Sequence, residues 1–465
     1  MVSFWEVMNR ASNSGALMAM DAFDMKVFEV SSRLVAQYGI EYDAENPICS
    51  DDTAQRVFQA GIQAYEELGT YCIDTGRVIR FSHEEIAAAL EDLGYCAEDL
   101  GIGSGKDQTV LRHRRPFDLT KPTAIGGVVE SNPNEGSDFV QLYKSIFQEE
   151  ILWGAYYGPA PHTCESRQWQ LGSAWEVHAA RNAVTWAREA LRSVGRPGLH
   201  LIDASPTAIG AASVMMAGED HQGLRTTDAV AIATISELKV NYEMLGKVAL
   251  TQQFGCLRNP YWTTMIGGFA GGPEGAAVLS VAHALNAVLV YRVGGAGYCV
   301  VATILQNPPV ATARKCLWAR NAAYQAISSN MNMICGGGGL TDAGPGTDQQ
   351  LWEIAAMAMT ISSGGAHVIQ GIRKAVLKKP MQGSGLEPRW EAEVARAVAG
   401  LPRDEVNRLM NYVLSKYESS VADRSSPDGY SFNDLYDINT IVPTSRYLEL
   451  YEKVKTDLQE HGLLF

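Results

Sequence analysis

The eight cysteines of this chain form no C-x-x-C pair, and no two of them lie close together in the sequence. A dithiol redox motif or a zinc ribbon is therefore not indicated, and reduced, mostly buried thiols are expected. No uncharged apolar run reaches the length that spans a membrane. Residues 1–6 lack a basic region followed by an apolar stretch, so no signal peptide is predicted. These absences predict a cytoplasmic protein with no membrane partner.

Positive charge is also scarce: 38 lysines and arginines face 52 aspartates and glutamates, which leaves a net charge of −14. An acidic surface disfavours nucleic acid and anionic membranes as partners. The 465 residues, of which 46% are hydrophobic, are enough for a large globular core. This composition suits an enzyme that acts on a small molecule, or a protein whose partner carries a basic patch.

The nine histidines show neither H-x-x-x-H nor H-E-x-x-H spacing. Glu219, Asp220 and His221 are adjacent potential ligands, but neighbouring side chains rarely all reach one ion. No metal site is therefore predicted. A metal-dependent enzyme that uses His200, Glu219 and His221 is kept as an alternative.

From about residue 120, short apolar runs alternate with longer amphipathic segments at helical spacing. Eight runs are predicted to be strands: 123–129, 152–157, 199–202, 230–235, 263–267, 288–293, 331–335 and 367–369. Eight such repeats favour an α/β fold, a (β/α)8 TIM barrel, over a doubly wound open sheet. The predicted boundaries are an N-terminal helical extension and barrel base over 1–119, the barrel over 120–385 and C-terminal helices over 386–465.

Three glycine-rich segments, at 267–272, 294–297 and 336–339, follow or approach predicted strand ends. Consecutive glycines allow unusual backbone dihedrals and the close approach of a ligand. In a barrel, loops after the strands lie at the C-terminal rim, where active sites are built. The glycines therefore predict a wide mouth that accepts something large.

Several motifs recur in an order and spacing that resemble one family. They are YCIDTGR at 71–77, GRPG at 195–198, ELK at 237–239, GGFAGG at 267–272 and GLLF at 462–465. The chain resembles monomethylamine:corrinoid protein methyltransferases nearly end to end. The resemblance implies a (β/α)8 barrel, a homo-oligomer and a cytoplasmic location. It also implies methyl transfer from a methylamine to Co(I) of a corrinoid protein, so that the corrinoid (cobalamin) is carried by the partner and none is tightly bound here.

The chain departs from this family where the chemistry is expected. The resemblance places the family's pyrrolysine, which captures the amine, at Ile202. It places two carboxylates near Ala231 and Tyr261, and a glutamine and a tyrosine at Met331 and Met333. Apolar replacement of the supporting groups is physically consistent once no adduct forms, because a buried polar group without a partner is costly. A remodelled pocket is therefore predicted, with no catalytic residue assigned.

The expected donor is a quaternary amine or another activated methyl compound, because Ile202 cannot activate monomethylamine. Aromatic faces, such as those of Tyr156 and Tyr261, would attract a quaternary cation, and Asp203 would supply negative charge. His200 lies two residues before Ile202 and is expected to share its face of the strand. The alternatives are a catalytically inactive homologue that still binds a corrinoid protein and the metal-dependent barrel enzyme.

Overall fold

The structure is a computed structural model that describes residues 2–95, 99–127, 136–158, 163–164, 167–219 and 222–465. Its centre is a closed barrel of eight parallel strands in which each strand pairs with the next and the eighth pairs with the first. The strands, in order, are Thr123–Gly126, Leu152–Tyr157, His200–Asp203, Ala229–Ala233, Leu257–Ile266, Cys299–Leu305, Cys335–Thr341 and Val368–Lys374. The predicted (β/α)8 TIM barrel is confirmed.

A helix follows each barrel strand and covers its outer face. These helices are Ser137–Phe147, Ala174–Ser193, Ala208–Ala217, Tyr242–Phe254, Pro273–Leu289, Arg314–Asn330, Asp348–Ser363 and Leu386–Val398. Side chains of Thr207, Asn241 and Thr347 accept backbone N–H groups at three of the helix starts. Because Leu386–Val398 packs on the eighth strand, the helical layer extends past the predicted boundary at 385.

The N-terminal extension is mostly helical and covers part of the barrel. Its helices are Phe4–Asn9, Met20–Gln37, Asp51–Leu68 and His83–Tyr95, with a π-helical turn at Arg10–Ser14. A small sheet joins Ala16–Leu17, Arg77–Ile79, Thr70–Cys72 and Lys239–Val240. Since Lys239–Val240 follows the fourth barrel strand, this sheet ties the extension to the C-terminal rim.

The remaining elements are short hairpins and C-terminal helices. Antiparallel pairs join Leu100–Ile102 to Thr109–Leu111, Thr163–Cys164 to Arg167–Gln168, and Tyr436–Asp437 to Val442–Pro443. A 3₁₀ turn spans Gly105–Asp107, and the C-terminal helices are Arg403–Ser415, Glu418–Ala422, Phe432–Leu435 and Ser445–Glu460. Within the described ranges, every helix is too short or too polar to cross a membrane.

The prediction of the sixth strand was wrong. Residues 288–293 include the end of the helix Pro273–Leu289, and the strand is Cys299–Leu305. That helix is buried on every face, partly beneath Asp51–Leu68. A helix buried on every face lacks a clear amphipathic period, so its apolar last turn resembles a buried strand. Glycines 294–297 consequently precede the sixth strand and lie at the N-terminal end of the barrel, away from the predicted rim.

The seventh strand was predicted too early. Residues 331–334 connect the helix Arg314–Asn330 to the strand Cys335–Thr341, so glycines 336–339 lie inside the strand. Close packing explains these glycines. A Cβ atom at Gly337 would overlap the Tyr324 hydroxyl, and one at Gly338 would overlap the Gln370 carbonyl oxygen.

Candidate active site in the barrel lumen

Three polar side chains meet inside the barrel. Tyr156 donates its hydroxyl hydrogen to Asn259 Oδ1, and Gln370 Nε2 donates to the Tyr156 hydroxyl and, at 3.0 Å, to Asn259 Oδ1. The three residues come from the second, fifth and eighth strands, which are not neighbours in the barrel. Direct contact between them therefore has to pass through the lumen, which identifies the inward face of each strand.

Strand register then places the predicted pocket residues. Ile202 pairs with Tyr156, and Ala231 pairs with Asn259. Tyr261 lies two residues beyond Asn259 and therefore on the same face of its strand. Because neighbouring strands share faces at paired positions, Ile202, Ala231 and Tyr261 all face the lumen.

Ile202 contributes only hydrocarbon to this space. Its side chain is fully buried, and its strand partners are Tyr156 on one side and Ala229 on the other. A saturated side chain cannot form a covalent adduct with an amine or donate a proton. The centre of the wall is therefore a hydrophobic contact surface.

His200 occupies the inward face at the start of the same strand, and both its ring nitrogens are already bonded. Nδ1 donates to the Thr227 carbonyl oxygen at 2.8 Å, which leaves Nε2 to accept from the Tyr298 hydroxyl at 2.8 Å. Burial lowers the pKa of His200 to about 4, although the Asp228 carboxylate favours protonation. His200 is thus a neutral structural residue with no nitrogen free for a substrate or a metal.

Asp228 fixes the third strand that carries His200 and Ile202. Its carboxylate accepts the backbone N–H of Leu201 at 2.9 Å and side-chain N–H groups of Arg188 and Arg225 at 2.7 and 2.8 Å. Burial opposes ionisation, but the two guanidinium groups outweigh it and hold the pKa of Asp228 well below its usual range. This buried ion cluster sets the height of Ile202 in the barrel.

Asp203 does not face the pocket, which corrects the expectation that it supplies charge there. It pairs with Tyr157, one residue beyond the inward-facing Tyr156, so it points outward. The Ser205 hydroxyl donates to it at 2.8 Å, and it lies near the Lys247 ammonium. Burial raises the pKa of Asp203, while Lys247 opposes that shift.

Met331 and Met333 also lie elsewhere than expected. Both are buried, but they precede the seventh strand, at the end of the barrel opposite the mouth. Residues 331–334, which were predicted to be strand, are the connection that leads into the seventh strand. The lumen-facing position on that strand is Gly336, which pairs with Val300 and Val368. This wall of the lumen is therefore bare backbone.

The wall of the lumen carries no carboxylate on its eight described strands. Asp203 is the only acidic residue in those strands, and it points outward. Tyr261 presents a ring that is 39% exposed, whereas Ala231 is buried. The described strands thus bring no negative charge to the lumen, and its wall is partly aromatic.

The metal hypothesis gains no cluster from the structure. In the part of the chain that the structure describes, no three histidine, cysteine, aspartate or glutamate side chains are placed to share an ion. Glu219 is exposed, and Asp220 and His221 lie outside the described residues.

Sequence reasoning missed Asn259 and Gln370. Both are polar residues next to predicted strands, a few residues before the run at 263–267 and immediately after the run at 367–369. An amide at an inward strand position signals a buried polar network, because a buried amide needs partners. The boundaries of the predicted strands hid that signal.

Comparison with known proteins matches nearly the whole chain to a single family. Residues 2–463 match the family described as Monomethylamine methyltransferase MtmB. Monomethylamine methyltransferase MtmB2 of Methanosarcina acetivorans is 27% identical over 443 residues, covering 95% of this chain and 94% of that protein. MtmB of Methanosarcina mazei is also 27% identical, with the same coverage.

Two solved structures share the fold of this chain over nearly its whole length. The crystal structure of the Methanosarcina barkeri monomethylamine methyltransferase superposes with a TM-score of 0.91 at 25% identity, covering 99% of this chain and 98% of that one. The crystal structure of the hydroxylamine MtmB complex gives the same TM-score at 26% identity, with the same coverage.

Proposed function

Because the chain belongs to the monomethylamine methyltransferase family MtmB, we propose that it is a corrinoid-dependent methyltransferase that works without pyrrolysine. It moves a methyl group from a small methylated donor to Co(I) of a corrinoid protein. The corrinoid belongs to that partner protein, which acts as the second substrate. We also propose that the protein is a homo-oligomer, as the resemblance implies; analytical ultracentrifugation tests this.

The observation that carries the proposal is the hydrocarbon side chain of Ile202 on the inward face of the third strand. An adduct-forming residue is needed when the donor is a primary amine, because methylamine holds its methyl group firmly. Ile202 offers no such chemistry. The donor must therefore arrive already activated.

A quaternary ammonium meets this requirement, because its nitrogen leaves as a neutral amine that keeps the bonding electron pair. It has no N–H group, so it does not need the acceptors that the three N–H groups of methylammonium require. The absence of an inward-facing carboxylate from the described barrel strands supports this difference. The aromatic faces of Tyr156 and Tyr261 are suited to attract a diffuse cation.

The chain's own contribution is to hold the donor and exclude water. Transfer needs the methyl carbon, the departing nitrogen and the accepting cobalt in line, and positioning of this kind is a large source of rate acceleration. The apolar wall around Ile202 restricts where the head group lies. The C-terminal rim is the side from which a partner reaches a TIM-barrel site.

Methyl transfer is tested with purified protein, a reduced corrinoid and a panel of methylated donors. Absorbance spectra that report loss of Co(I) and growth of methyl-cobalt should appear with a quaternary amine. Monomethylamine should give no signal above the protein-free control. If no quaternary amine, sulfonium compound or methyl ether yields methyl-cobalt, the proposed activity is contradicted. Capture of a corrinoid protein without any transfer would instead support an inactive binding homologue.

A further inference from the structure

Gln370 belongs to a chain of hydrogen bonds whose direction is set by backbone. At its far end, Asn259 Nδ2 donates to the Tyr298 carbonyl oxygen at 2.9 Å. A carbonyl oxygen only accepts, so the amide nitrogen of Asn259 has to face it. The Asn259 oxygen is therefore turned towards Gln370 and Tyr156.

The same logic orients Gln370. Asn259 Oδ1 can only accept, and it lies 3.0 Å from the nearest atom of the Gln370 amide. That atom is consequently the nitrogen, Nε2, which also donates to the Tyr156 hydroxyl. Flipping the amide would set two oxygens against each other. The Tyr298 carbonyl oxygen thus determines the orientation of Gln370 through two successive hydrogen bonds.

This orientation leaves Gln370 Oε1 without a hydrogen-bond partner. The residue is only 2% exposed, so bulk water does not satisfy the oxygen. A buried acceptor without a partner destabilises a fold, and natural proteins keep few of them. The oxygen lies on the strand face that also carries the predicted donor pocket. A donor bound there would supply the contact that the oxygen lacks.

We infer that the Gln370 side-chain oxygen is the polar contact for the cationic head group of the donor, and that it sets the preference for quaternary ammonium. The inference rests on the proposed function and adds a residue that selects the substrate. Gln370 is a specificity-determining residue here, since it binds the head group and takes no part in breaking bonds.

An uncharged oxygen discriminates less in favour of protonated amines than a carboxylate would, so it leaves the preference with the quaternary cation. In a quaternary ammonium the positive charge is spread over the methyl hydrogens, which make weak C–H···O contacts with an amide oxygen. A carboxylate would instead favour protonated amines, whose N–H groups form strong charge-assisted bonds. Burial raises the pKa of Tyr156 well above its usual value, so its phenol stays neutral beside Gln370.

The inference is tested by calorimetric binding of tetramethylammonium and trimethylammonium to the full-length chain. Gln370→Leu should weaken tetramethylammonium binding about five- to tenfold, since one buried contact is lost. Gln350→Leu is the matched control: Gln350 is also buried with an unpartnered Oε1, but it lies on the outer helix Asp348–Ser363. That control should bind tetramethylammonium like the unmodified chain.

The Gln370→Glu variant separates a role in cation binding from a purely structural role, because only the former predicts a cation affinity that changes with pH. Its protonated carboxyl can replace the amide N–H, so the network with Tyr156 and Asn259 can survive. On ionisation, its affinity for both cations should rise with pH, and the preference should shift towards trimethylammonium. The unmodified chain should show no such trend with pH. Equal tetramethylammonium affinity in all four proteins would overturn the inference.

Failure of the proposed function looks different. If the unmodified chain binds tetramethylammonium but transfers no methyl group from any donor, the activity is wrong while the Gln370 contact stands. If it transfers methyl groups from ethers alone and binds no ammonium ion, methyl transfer stands while the role of Gln370 is overturned.

Discussion

Tyr156 and Ile202 are opposite one another in adjacent parallel strands, and both side chains enter the barrel lumen. The phenol reaches across to the fifth and eighth strands, whereas the isoleucine makes a fully buried hydrocarbon contact. One position of the pair is polar and bonded, and the other is apolar. The lumen wall therefore sets a hydrogen-bonded polar group directly beside an apolar one.

Replacing Ile202 by alanine should lower the free energy of unfolding by about 2–4 kcal/mol, because the removed methyl groups leave a cavity in a packed wall. Urea unfolding followed by circular dichroism measures the change. Ile209→Ala is the control, since Ile209 is 49% exposed and should cost less than about 1 kcal/mol. Equal losses for the two variants would contradict the placement of Ile202.

His200 should make the free energy of unfolding fall as the pH is lowered below neutrality. Burial lowers its folded pKa to about 4, below the ordinary value of 6.5. The stability it contributes is complete above pH 6.5 and is lost as pH falls towards 4, because the unfolded chain then binds a proton that the folded chain refuses. The loss should approach about 3 kcal/mol.

Urea unfolding between pH 7 and 4 tests this slope against a His200→Gln variant. The variant should show a shallower decline, since its amide does not titrate. Buried His367, whose pKa burial lowers to about 3, contributes equally to both proteins and cancels in the comparison. Parallel profiles for the two proteins would show that His200 is not held neutral.

Tyr261 should contribute to donor affinity through its ring. Tyr261→Ala should weaken tetramethylammonium binding about three- to tenfold, because it removes an aromatic face worth about 1 kcal/mol to a cation. Tyr261→Phe keeps the ring and should bind within about twofold of the unmodified chain. If phenylalanine is as harmful as alanine, the hydroxyl matters and the cation–π argument fails. Isothermal calorimetry distinguishes the two results.

Gly338→Ala should prevent the seventh and eighth strands from packing as they do, because its Cβ would overlap the backbone carbonyls of Gln370 and Gly371. The expected outcome is aggregation, or a loss of several kcal/mol in unfolding free energy. Gly246→Ala is the matched control: it lies in the helix Tyr242–Phe254 and meets only the Ala208 Cβ, at 3.5 Å. Thermal melting should leave this control within a few degrees of the unmodified chain.

The barrel itself was predictable because its period is local. The run at 152–157 coincides with the second strand, and the glycines at 267–272 lie between the fifth strand and the helix Pro273–Leu289, as expected. The first motifs also pointed to the right family, since they depend on residue order alone. The sixth strand was missed because a helix buried on all sides has no solvent-exposed face to mark its period.

The pocket was less accessible to sequence reasoning. The sequence alone determined that the chain would be acidic, that Ile202 would lie in a strand and that Asp203 would follow it directly. Which of the two faces the lumen follows only from the register with Tyr156 and Tyr157. The exclusion of Met331 and Met333, and the meeting of Tyr156, Asn259 and Gln370, needed barrel closure. Residues more than a hundred positions apart become neighbours only when all eight strands pair.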